Sequence, residues 1–150
     1  MKVELPAQQR RRMHRRLLRA GRREIGGILM GEQLAPGHFR IVDFSVDSIT
    51  GSRAHFVRDP RHHKEALDAF FTRTGEDYDR YNYLGEWHSH PSFAARPSLE
   101  DVASMTMLVE RYDTIPFSIL LIVRTRRCIR LERSAMLFQR GGYRSEVEIV

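Results

Sequence analysis

The sequence predicts an α/β (α+β) fold in which one mixed β-sheet is flanked by helices. Three observations predict it. Strand-like and helix-like runs are interleaved along the 150 residues, the order that layers helices onto a sheet. The run Ile119-Leu120-Leu121-Ile122-Val123 is apolar at every position, as in a strand covered on both faces. The hydrophobic fraction of 41% and charged fraction of 29% are ordinary for a globular domain with a single core.

Each element has a local reason. Residues 7 to 21 read as a basic helix, with Met13 and Leu17 four apart on one narrow apolar stripe. Glu24 to Leu34 reads as a strand, in which Gly26 and Gly27 allow close backbone approach. Ala35-Pro36-Gly37 is a turn signal, and Phe39 to Ile49 returns as a second strand. Ala54 to Arg58 is a short strand candidate. Asp59-Pro60 starts a helix that runs to about Thr72, with proline at the tolerated first position. After the polar loop Gly75 to Arg80, Tyr81 to His88 is a strand, followed by a loop with Phe93 at its centre. Ser98 to about Tyr112 is a helix: Ser98 suits the N-cap and Asp101 the positive end of the dipole. Pro116 to Thr125, Cys128 to Gln139 and Tyr143 to Val150 complete the strands, with Arg140-Gly141-Gly142 as the last turn.

Composition narrows the setting. No stretch approaches the ~18 to 20 apolar residues that span a bilayer, and Met1-Lys2-Val3-Glu4-Leu5-Pro6 lacks the apolar region of a secretory signal. A single cysteine, Cys128, forms no internal disulfide, which points to the reducing cytoplasm. The net charge of +6 is uneven: residues 1 to 23 carry +8 and the other 127 sum to −2. The arginine-rich segment is a solvated helix face or a docking surface for an acidic partner or nucleic acid. No aromatic residue interleaves its arginines, so base stacking has no support and nucleic acid is not expected as a partner. The charge asymmetry also predicts that removing residues 1 to 21 weakens partner binding and leaves a metal site intact.

The chemistry concentrates in Trp87-His88-Ser89-His90-Pro91 and Ser98-Leu99-Glu100-Asp101. On a strand, His88 and His90 present both imidazoles to one face. Asp101, eleven residues after His90, closes a three-ligand set from another element and leaves a fourth zinc position open, as in catalytic sites. Competing patterns are absent. There is no His-Glu-x-x-His, no Pro-Cys-x-x-Cys, and Ser92 stands where a metallo-lactamase-like site has aspartate. His14, His38, His55, His62 and His63 lie outside the pattern.

With Glu24 upstream, then His88-Ser89-His90-Pro91, seven residues to Ser98, and Asp101, the chain resembles the JAMM/MPN zinc metalloproteases. The segment Glu24-Ile25-Gly26-Gly27-Ile28-Leu29-Met30-Gly31 is similar to that family's first strand, and the likeness runs from about Arg23 to Arg124. It implies a division into an Arg-rich N-terminal helix at 1–22 and a JAMM/MPN domain at 23–150, one globular unit overall. It further implies that His88, His90 and Asp101 bind Zn2+, that Glu24 is the general acid/base, and that Ser98 supports the oxyanion. Glu86 is the one nearby carboxylate that competes with Glu24. Trp87 and Ser89 point to the opposite strand face.

By the same resemblance, the activity is isopeptidase or peptidase cleavage after the C-terminal Gly-Gly of a ubiquitin-like protein. The short length and high arginine content resemble a bacterial stand-alone member, working beside activating and conjugating enzymes. The alternatives are release of cysteine or sulfur from a sulfur-carrier protein, and a non-catalytic MPN scaffold. The latter typically lacks one or more of the five positions that are intact here.

Overall fold

The computed structural model describes residues 1–47 and 60–150. Its strands are β1 (Lys2–Glu4), β2 (Gly26–Ala35), β3 (His38–Phe44), β4 (Tyr81–Ser89), β5 (Phe117–Arg126), β6 (Arg130–Gln139), β7 (Arg144–Glu146) and β8 (Glu148–Ile149). Its helices are α1 (Ala7–Ala20), α2 (Pro60–Arg73) and α3 (Leu99–Arg111). The strands form one mixed sheet in the order β7-β6-β5-β4-β2-β3-β1-β8. The β4–β5 and β1 pairings are parallel and the others antiparallel. The predicted strand at 54–58 and the end of the second strand at Ile49 lie outside the described residues.

Alternation along β5 sorts the core. Ile119, Leu121 and Val123 face the cluster that holds Met13 and Leu17 of α1. Leu120 and Ile122 face Met105, Leu108 and Val109 of α3. The apolar run thus serves two layers, which is why it shows no polar alternation. On the α3 side of the sheet, α2 brings Phe70 onto Ile28 and Met30.

Two features were not legible in advance. β1 precedes the basic helix and pairs with both β3 and β8. Tyr143 to Val150 is two short strands, not one. The chain pairs with β6 as β7 and with β1 as β8, and between them Val147 is buried and donates its amide to the Ala135 carbonyl at 3.0 Å. One segment therefore joins the two edges of a curled sheet around α1.

α1 is a structural member of that core. Val3 and Met13 are fully buried and Leu17 nearly so. Removing residues 1 to 21 would open the centre of the sheet, at about 2–5 kcal/mol for each large apolar side chain lost. Such a truncation reports unfolding, so the arginines must be tested by substitution.

Asp43 on β3 ties the elements together. It accepts from Arg12 of α1 at 2.8 Å, from Arg73 of α2 at 2.7 Å, and from the Phe44 amide at 2.9 Å. Burial pushes its carboxyl up, but the two guanidiniums and the amide prevail and hold it below the ordinary value. A depressed carboxylate stabilises the fold above its unfolded pKa of about 3.9, and that contribution is lost as pH falls through the folded value. We expect Asp43→Asn to cost about 1–3 kcal/mol at neutral pH and to flatten the acid limb of stability against pH. Urea melts at pH 7 and pH 3 check this; an equal loss at both would contradict it.

Candidate metal centre

The site is built at the end of β4. That strand lies in the middle of the sheet, with Gly26 of β2 opposite His88 on one side and Ile122 of β5 opposite it on the other. The close approach requires glycine. A Cβ on Gly26 would sit 2.4 Å from the Trp87 carbonyl oxygen and 2.7 Å from the His88 Cβ.

A bulge sets which way the histidines face. Leu29 pairs with Gly85 and Met30 with Tyr83, so Leu84 is an extra residue in β4. Tyr83 packs toward α3 and Leu84 toward α1. Beyond the bulge, Glu86 and His88 line a cleft on the α3 side while Trp87 returns to the α1 core. Without the extra residue the parity would be reversed, because side chains alternate with period two. Gly85 permits the bulge: its φ is +156°, and a Cβ there would lie 2.1 Å from the Ile119 carbonyl oxygen.

The neighbours behave as strand alternation predicts. Trp87 is fully buried and donates Nε1–H to the Ser45 carbonyl at 2.9 Å. Ser89 Oγ accepts from the Ile25 amide at 3.0 Å, and the Ser89 amide donates to the Ile25 carbonyl at 2.8 Å. These bonds fix the peptide beside Glu24, which is buried and lines the same cleft as the two histidines. Glu86 is also buried and lines that cleft.

Asp101 enters from α3. Ser98 is its N-cap and Asp101 completes a capping box. The Ser98 amide donates to Asp101 Oδ2 at 2.7 Å, and Ser98 Oγ accepts from the Asp101 amide at 3.1 Å. The Ser98 carbonyl accepts from the Val102 amide at 3.1 Å. As an acceptor in the cap, the Ser98 hydroxyl keeps its own proton available to donate.

The ligand atoms of three residues converge. His88 Nε2 lies 3.0 Å from His90 Nε2, 3.2 Å separates it from Asp101 Oδ1, and His90 Nε2 is 3.5 Å from Asp101 Oδ2. Ligands at the 2.0–2.1 Å bond lengths of tetrahedral zinc stand about 3.3 Å apart. His88 Nε2 is near that edge length from both His90 Nε2 and Asp101 Oδ1, while His90 Nε2 faces the other carboxylate oxygen, and the donor set is one zinc accepts. His90 Nδ1 is 3.0 Å from the Ala94 carbonyl oxygen. A carbonyl only accepts, so Nδ1 carries the proton and, in the neutral ring, the Nε2 lone pair faces the centre. Among the described residues, His88, His90 and Asp101 are the group whose ligand atoms all lie within 4.8 Å of one another.

The electrostatics follow from this crowding. For Asp101, burial pushes the carboxyl up, but hydrogen bonds from His88, His90 and the Ser98 amide hold it far below the usual carboxylate range. For His90, burial pushes the imidazole down, and the bonds to Asp101 and the Ala94 carbonyl raise it above its ordinary value. The cleft over the centre has a volume of about 740 Å³ and carries Arg96, Met107 and Tyr112 on its walls. Those wall residues had no spacing by which the sequence marked them. The other histidines are elsewhere: His38 pairs with Glu4, and His63 Nδ1 is 3.0 Å from Ser45 Oγ. His55 and the side chain of His62 lie outside the described residues.

The α+β domain thus places buried Glu24 in the same cleft as a His/His/Asp cluster whose donor types could hold a metal. The chain belongs to the family described as prokaryotic homologs of the JAB domain, which matches residues 6–134, and with it to a peptidase and isopeptidase family. Over 100 residues it is 34% identical to the CD-NTase/cGAS isopeptidase of Enterobacter hormaechei subsp. hoffmannii, covering 64% of this chain. It spans about half of that relative, 52% of its length. A solution structure of a Desulfitobacterium hafniense protein matches with a TM-score of 0.71 at 25% identity, covering 99% of this chain and 91% of that one. A JAB1/MPN domain protein from Archaeoglobus fulgidus aligns at 20% identity and a TM-score of 0.48, covering 100% and 99%. No helix among the described residues is long and apolar enough to cross a membrane.

Proposed function

We propose that the chain is a zinc-dependent isopeptidase or peptidase that cleaves after the C-terminal Gly-Gly of a ubiquitin-like protein. The observation that carries this reading is the convergence of His88, His90 and Asp101 in a cleft that also contains buried Glu24. Membership of the JAB family and the isopeptidase named above support the reaction class.

In this reading His88, His90 and Asp101 hold the zinc. A zinc ion held there would supply Lewis-acid activation of the carbonyl and of a water nucleophile. Glu24 would take a proton from the attacking water and return it to the leaving amine. Its burial keeps the carboxylate out of bulk water, where proton exchange would compete. The Ser98 hydroxyl donates to the oxyanion, and its place at the N-cap holds it rigidly. The Ala94 carbonyl and the capping box orient the ligands before any substrate arrives. A Gly-Gly tail suits a passage bounded by buried ligands and by Phe93 and Arg96. Activating and conjugating enzymes of the same system are the expected partners.

The purified chain is expected to carry about one zinc, lost in His88→Ala/His90→Ala, and to release the partner from a Gly-Gly-linked ubiquitin-like fusion. Metal analysis and gel-based cleavage check both. Full zinc content in the double variant removes the ligand assignment, and zinc without cleavage of any Gly-Gly fusion removes the substrate assignment.

A further inference from the structure

The inner face of α1 is committed to the fold. Gln9, Met13 and Leu17 are buried, Gln9 Nε2 donates to the Val42 carbonyl, and Arg12 is bonded to Asp43. These contacts fix the helix about its axis and turn Arg10, Arg11, Arg15, Arg16 and Arg19 to solvent, with exposed Arg22 following. Among the described residues, no hydrogen bond, ion pair or ring contact engages any of these six side chains.

The arrangement works against the helix that carries it. Arg11 and Arg15, and Arg15 and Arg19, are like charges four apart, which repel on a helix surface. No acidic residue stands in the first turn to complement the dipole. Among the described residues no acidic side chain pairs with these six arginines, and an acidic partner would supply the complement.

The composition of the face selects the complement. Guanidinium forks pair bidentately with carboxylates as well as phosphates. Leu18 is 46% exposed in the middle of the field, three residues after Arg15 and four before Arg22. An apolar contact rimmed by charge is the anatomy of a protein interface, and a phosphate backbone offers nothing to it. α1 covers the face of the sheet opposite the cleft, and only the short segment Arg22-Arg23 joins its C-terminal end to Glu24.

We propose that the outer face of α1 is a docking surface for an acidic protein, with Leu18 as the apolar contact and the surrounding arginines as carboxylate clamps. It stands independently of the chemistry assigned to the cleft. The test uses the full chain and fluorescence anisotropy at about 0.15 M salt. The probes are a labelled glutamate–tyrosine copolymer, polyglutamate, and a DNA duplex of similar total charge. Arg11→Gln/Arg15→Gln/Arg19→Gln is expected to weaken copolymer binding by about tenfold or more, with circular dichroism and zinc content unchanged. Leu18→Ser is expected to weaken the copolymer and leave polyglutamate binding as it was. Copolymer affinity unchanged in the triple variant would overturn the proposal. So would tighter binding of the duplex together with indifference to Leu18→Ser, which would make the face a phosphate-binding surface.

Discussion

Glu24→Gln is expected to lower cleavage of a Gly-Gly-linked ubiquitin-like fusion by about 100- to 10,000-fold, the range for loss of a general acid/base. Glutamine keeps the shape and most of the packing at this buried position, but it cannot take a proton from water. The three ligand atoms come from His88, His90 and Asp101, so zinc content should stay at about one per chain. Affinity for the uncleaved fusion should persist, making the variant a trap for its own substrate. Single-turnover rates, metal analysis and pull-down with the fusion together read these three quantities. Near-normal turnover would move the role to another carboxylate, and Glu86, buried in the same cleft, is the one to test next. Loss of zinc would mean that Glu24 is itself a ligand.

Gly85→Ala is expected to be the most damaging glycine-to-alanine change among the described residues. The added Cβ would meet the Ile119 carbonyl oxygen at 2.1 Å, in the middle of the β4–β5 pairing, and the backbone has a positive φ. Neither neighbour is a flexible side-chain end, so strand separation or loss of the bulge must follow. A cost on the order of 3–5 kcal/mol is expected, which for a domain of this size lowers Tm by roughly 10 °C or more. Zinc affinity should fall with it, because β4 carries His88 directly. Thermal melts with and without added zinc check this. A wild-type Tm would show that β4 accommodates the extra atom and that the bulge does not depend on glycine.

Much of the fold was legible because most of it is local chemistry. Ser98 and Asp101 announced a helix start, and they form the N-cap and capping box of α3. Period two placed His88 on one face and Trp87 and Ser89 on the other, and the hydrogen bonds agree. The grouping of His88, His90 and Asp101 was legible because a His-x-His pair on a strand and a carboxylate at a helix start are local patterns, and their ligand atoms come together. What was not legible depends on tertiary register. The Leu84 bulge shifts parity by one residue, and only its pairing with Leu29 and Met30 reveals it. The Ala94 carbonyl that orients His90 is a backbone group whose side chain carries no signal. The split at Val147 arises because the segment must serve both ends of the sheet. β1 is three residues long, too short for periodicity to mark.

The split of the last strand has a consequence for how this molecule meets others. An open sheet offers two rows of unsatisfied amides and carbonyls on which foreign strands can polymerise. Here the outermost strands are three and two residues long and belong to one continuous segment. The template is therefore used up only in part. β7 pairs with β6 at Met136–Phe138 alone, and Arg130–Ser134 of that strand has no ladder partner on its outer side among the described residues. The chain thus caps one end of its long edge and leaves the other end as the place where an extended segment can add.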